Sequence, residues 1–286
     1  MKDVEADLQD QIARHLSKEE WHKLIEQVQR LIENPQPNTL ARVFTTVPRM
    51  TRSAGYDLRI TLEQQTTEAD EMRLAVKNWP FVRLVRVWIL LNLPALDQPT
   101  YVSLLDRLFN YGEMEELAAL YAALPIYHYP SAWKLRCIEG IRSNMAPVRQ
   151  AILLNNPYPS RHLEEGAWNQ LVLKAFFTDE DIPQIIGLKA RNNARLADAL
   201  VDYAHELYAA KRAINPFLWI LVSSYMNDRA FQVMERVVAE SQQLMTHKAI
   251  AYACRVSNFP RCVEFLAGKS QLSDLSDATG TPWERW

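Results

Sequence analysis

Asp198, Asp202, His205 and Glu206 stand at i, i+4, i+7 and i+8. On a helix these spacings fall on one broad face. Carboxylates beside an imidazole can bind a metal ion or hand on a proton. Asp202, His205 and Glu206 are therefore the acid/base candidates. The plainer alternative is a polar face that pairs locally with a neighbouring helix. No HExxH or DDxxD arrangement accompanies them, and no second helix supplies ligands, so neither a metal nor a cofactor is assigned.

Glu139, Arg142 and Ser143 form a second set at i, i+3, i+4, with Asn144 ending the predicted helix before Pro147. An ion pair and a cap account for them. They could equally present Arg142 and Asn144 to a polar ligand. Asn155-Asn156-Pro157-Tyr158-Pro159 is a stiff connection, because two prolines fix φ and remove two donors. Trp168 and Asn169 follow on the next predicted helix. Arg191, Asn192 and Asn193 precede another, where asparagine is a favoured N-cap. Predicted helices 131–144, 161–177 and 193–211 follow one another in the chain and should stack in order. The expectation is that Arg142, Asn144, Tyr158, Trp168, Asn169 and Tyr203 meet the acid/base residues at one cavity between helical hairpins.

These elements belong to a chain that reads as helical almost throughout. Residues 3–33 read as two helices, the second opened by a Ser17/Glu20 capping box. Thr39–Val47 reads as a short helix closed by Pro48. Tyr56–Leu62 alternates and reads as extended. From Trp79, apolar residues recur at helical spacing up to Leu266, and prolines mark the links. The pattern predicts an all-α fold, an irregular α-solenoid-like stack of antiparallel helical hairpins. The expected divisions are an N-terminal helical region at 1–65, a main domain at 66–267 and a polar tail at 268–286. The stretch from Gln64 to Glu71 is the expected linker. The tail carries Asp274, Asp277, Trp283 and Trp286.

Composition narrows the function classes. The chain has 286 residues, 48% hydrophobic and 23% charged, with a net charge of −2. That balance speaks against a nucleic-acid partner, since such binders are clearly basic. Seven glycines leave little for a phosphate-cradling loop, and the sequence holds no P-loop, GxGxxG or nucleophile motif. Cys137, Cys254 and Cys262 are widely spaced and odd in number, which fits reduced, structural thiols in the cytoplasm. No apolar run approaches the roughly 20 residues of a membrane span. The acidic start is no signal peptide.

Four segments are distinctive together: "EGIRSN", "NPYP", "AWNQLVLKA" and "DYAHE". With them the chain resembles the EboA family of bacterial proteins over about Leu40 to Leu266, most clearly from Phe81 to Trp219. The resemblance implies a place among proteins that make or export small specialised metabolites. Genes of this family lie beside those for a UbiA-like prenyltransferase, a dehydroquinate-synthase-like cyclase and a TatD-like hydrolase. "YAHELYAAKR" departs from the family's usual "HERWAAGR" at Tyr208 and Lys211.

Two readings follow. In the first, the protein is an accessory that holds a hydrophobic or aromatic small molecule, or docks other proteins of the same gene cluster. Eight Trp and eleven Tyr could line such a surface. In the second, it is a cofactor-independent enzyme, a cyclase or lyase, working through Asp202, His205 and Glu206. The absence of a catalytic motif favours the first.

Overall fold

The computed structural model describes residues 2–62, 74–269 and 272–275. The expected linker at Gln64–Glu71 lies outside the described residues, as do Asp277, Trp283 and Trp286 of the expected tail. Among the described residues the protein is all-α, with a single two-stranded ribbon.

The chain divides into two compact units, Met1–Trp168 and Asn169–Trp286. The first begins with α1 (Lys2–His15) and α2 (Lys18–Glu33). Ser17 starts α2 as the sequence predicts. Its hydroxyl accepts the Glu20 N–H at 3.2 Å, and the Glu20 carboxylate accepts the Ser17 N–H at 3.2 Å. The Glu20 carboxylate also accepts the Ser53 N–H at 3.0 Å, tying the start of α2 to residues 36 places away from Ser17.

Next come α3 (Pro37–Met50), α4 (Phe81–Leu91), α5 (Gln98–Tyr111) and α6 (Met114–Ala122). Pro48 does not close α3; it sits inside the last turn. A proline there cannot donate to the carbonyl of Phe44. That carbonyl instead accepts Arg86 Nε–H at 3.1 Å, so the lost helical bond leaves no orphan. α4 is buried nearly all round, as its apolar sequence FVRLVRVWILL requires. It packs against α1, α3 and α6.

The alternating segment before the undescribed stretch forms β1 (Arg59–Ile60), antiparallel to β2 (Trp79–Pro80), with Ile60 opposite Trp79. This clasp lies directly ahead of α4.

The unit continues with α7 (Lys134–Ile141), α8 (Ala146–Leu153) and α9 (Tyr158–His162). Gly140 lets three elements approach closely. A Cβ there would lie 2.0 Å from Ile152 Cδ1 and 2.7 Å from Tyr121 Cε1. The "EGIRSN" segment thus owes its glycine to packing. The helix expected over 161–177 is broken at Leu163, which is extended (φ −81°, ψ 142°) and buried. It resumes as α10 (Glu165–Phe177), within which the division between units falls.

The second unit holds α11 (Leu188–Arg191), α12 (Ala194–Ala209), α13 (Phe217–Val222), α14 (Asp228–Glu240), α15 (Leu244–Val256) and α16 (Pro260–Ala267). Here α12 packs on α14, and α13 on α15, each helix meeting the second one along. α13 is wholly buried, including Trp219. All three cysteines are free and buried. Cys254 and Cys262 stand eight residues apart, on α15 and α16, and the buried Cys254 thiol donates to Met234 Sδ at 3.7 Å.

Candidate functional site

The apolar stripe of α12 decides where its titratable residues go. Leu196, Ala197, Leu200, Val201, Ala204 and Leu207 are buried. The opposite face, with Asp202, His205 and Glu206, is exposed. Asp202 forms an ion pair with Arg229 of α14, with both side chains more than half exposed. Such a pair contributes about 0–1 kcal/mol. Tyr203 is half-buried and lies edge-on to Phe177, ring centroids 4.6 Å apart.

Asn169 has a structural partner. Its amide and that of Asn193 bond reciprocally, Asn169 Nδ2 to Asn193 Oδ1 at 3.2 Å and Asn193 Nδ2 to Asn169 Oδ1 at 2.9 Å. Asn193 is the N-cap of α12, its Oδ1 accepting the Leu196 N–H at 2.9 Å. Asn192 anchors a different element, donating from Nδ2 to the Leu221 carbonyl at 2.7 Å.

In the first unit the remaining residues separate by direction. Arg142 and Asn144 are exposed at the end of α7, while Tyr158 and Trp168 are buried. The Tyr158 hydroxyl donates to the Pro130 carbonyl at 2.5 Å, and burial raises its pKa. Asn156 holds the same connection. Its Nδ2 donates to the carbonyls of Tyr121 (3.1 Å) and Ala151 (2.9 Å), and its Oδ1 accepts the Tyr158 N–H (3.0 Å). The aromatic residues around it form core rather than a lined surface. Tyr127 Oη donates to Leu120 O at 2.9 Å and Trp133 Nε1 to His128 O at 2.8 Å, so their polar ends are satisfied inside.

Two features escape sequence reasoning. His162 stacks on Tyr158 with centroids 4.5 Å apart, and its Nε2 has no hydrogen-bond partner among the described residues. Burial, with Lys134 and Arg161 nearby, lowers its pKa. The other feature is a buried ion pair, Arg86 to Glu116 at 3.4 Å, beneath a groove of about 440 Å³. Arg107, Tyr111 and Thr45 stand around that groove. A signal for it existed, since Arg83 and Arg86 are charged residues within a run that is otherwise apolar. A second groove of about 520 Å³ runs beside Val102, Ser103 and Asp106. A third, of about 590 Å³, lies in the other unit where α12 ends. All three are of small-molecule size.

Among the described residues the protein is all-helical, with surface grooves of about 440, 520 and 590 Å³. The chain belongs to the EboA family: the model described as metabolite traffic protein EboA matches residues 4–223. α14, α15 and α16 lie beyond that match. No curated protein and no solved structure gives a significant match. The family's description is consistent with an accessory role in handling a small molecule. No helix among the described residues is long and apolar enough to cross a membrane.

Proposed function

We propose that the protein is a binding protein of a specialised-metabolite pathway. It holds a hydrophobic or aromatic small molecule for synthesis or export, or docks other proteins of the same gene cluster. Family membership supports the traffic role. The observation that carries binding over catalysis is the exposure of Asp202, His205 and Glu206 on the solvent face of α12. General acid/base work gains its strength in a water-excluded site, where a group's pKa can be tuned. A cyclase or lyase built on these three residues would lack that enclosure on its own helix. Grooves of 440 and 520 Å³ within the matched residues support a ligand of small-molecule size.

The test is to purify the full chain from cells that run the pathway and extract the bound molecules for mass spectrometry. One small molecule should accompany the protein near equal stoichiometry and return unchanged after incubation with it. Conversion of that molecule by the protein would move the reading to catalysis. Enrichment of no small molecule would end it.

A further inference from the structure

The groove in the second unit combines features that the metabolite reading leaves unused. It has a volume of about 590 Å³ and lies among the end of α12, the segment after it, and α14 and α15. Ile214 and Val237 give it an apolar wall; each is 8% exposed. Lys211 and Arg212 line it side by side, both exposed, and neither forms an ion pair among the described residues. Glu240 is the carboxylate in the lining, and it accepts the Tyr208 hydroxyl at 2.6 Å. The groove thus offers two uncommitted cations against one carboxylate that already has a hydrogen-bond donor.

The backbone fixes the cations there. Arg212 N–H bonds to Leu207 O at 2.9 Å and Lys211 N–H to Tyr208 O at 3.0 Å, which is the double closure of a Schellman end. Lys211 occupies the left-handed position of that motif, with φ 54°. Glycine takes this position without strain, whereas a lysine pays for its Cβ. Strain retained at a cleft suggests that the side chain has a task. Leu244 and Met245, which follow the lining residue Gln243 in the chain, are 55% and 46% exposed. Two cations and an apolar wall in one groove are complementary to a single-tailed amphiphile with an anionic head.

We propose that this groove binds an anionic amphiphile, its head on Lys211 and Arg212 and its tail along Ile214 and Val237. The inference rests on the binding reading but names a site that the family match covers only in part. A carboxylate and a phosphate head share the required chemistry.

Calorimetry on the full chain with sodium decanoate, decyl phosphate and decanol tests it. At least one anion should bind one-to-one, about tenfold or more tighter than decanol, as charge-assisted contacts predict. The ratio of the two anions identifies the head. Lys211→Gly and Arg212→Gln should each weaken the anion about tenfold and leave decanol unchanged. Lys211→Gly should also melt at a higher temperature, so that its lost affinity cannot come from unfolding. Equal binding of decanol and the anions, wild-type affinity in both variants, or no anion binding would each overturn the proposal. If the anions fail while a metabolite still accompanies the purified protein, this site falls and the binding reading stands.

Discussion

The Phe44 carbonyl accepts the Arg86 Nε–H at 3.1 Å, four residues before a proline that cannot supply the helical donor. The Arg86 guanidinium also lies 5.4 Å from the Phe44 ring and 3.4 Å from Glu116. One buried cation therefore satisfies the carbonyl that Pro48 leaves without a donor, and joins three helices. Removing one partner of a buried pair costs about 3–5 kcal/mol, because the other charge is stranded. Arg86→Met should lose that order of stability in urea denaturation. In Arg86→Met/Pro48→Ala, the new N–H at 48 can donate to the Phe44 carbonyl and should recover about 1 kcal/mol beyond additivity. Strict additivity would show that the carbonyl does not need Arg86.

Gly140 predicts a steric defect with a specific cure. Gly140→Ala places a methyl against Ile152 Cδ1 and the Tyr121 ring. Overpacking of this kind costs about 1–3 kcal/mol, occasionally more. Ile152→Val removes the nearest carbon, so the double variant should regain part of the loss. Thermal melts of the four proteins decide it, and a Gly140→Ala protein as stable as wild type contradicts the packing.

Glu20 predicts a pH dependence. Burial raises its pKa, but hydrogen bonds from Ser53 and Ser17 outweigh that and bring it from 4.5 to about 2. A carboxylate depressed on folding contributes stability above its unfolded pKa and loses it as pH falls through the folded value. The stability difference between wild type and Glu20→Gln should be full above about pH 5 and shrink between about pH 4.5 and 2. A difference independent of pH across that window would mean the carboxylate's charge is not what holds Ser53.

The Asn169–Asn193 pair predicts coupling in stability. Asn193→Ala removes an N-cap, at about 0.5–2 kcal/mol. Asn169→Ala removes both hydrogen bonds of the pair, at about 1 kcal/mol each, and frees the cap to rotate. The two losses should overlap in the double variant, because each amide orients the other. Independent, additive losses measured by chemical denaturation would rule out the shared role.

Much of the helical content was legible in the chain because helical periodicity and proline are local signals. Ser17 and Glu20 announced their capping box, and Asn192 and Asn193 announced a cap, although only the fold assigned the task to Asn193. Pro48 misled, since its tolerance depends on an arginine 38 positions later. The break at Leu163 was equally hidden, because a buried leucine suits either a continuous helix or a bend.

The candidate site was legible only as a set of residue types. Spacing put Asp202, His205 and Glu206 on one face, and that much the sequence determined by itself. Which face turns to solvent follows from the six buried apolar residues of α12 and from what packs on them, which is a tertiary matter. The same holds for Asn169, whose amide meets a partner 24 positions away. Periodicity is written into neighbouring residues, so the sequence alone determines the helices and their apolar stripes. Hydrogen-bond partners, the buried Arg86–Glu116 pair and the groove at Lys211 depend on which distant surfaces meet, and only the tertiary structure decided them.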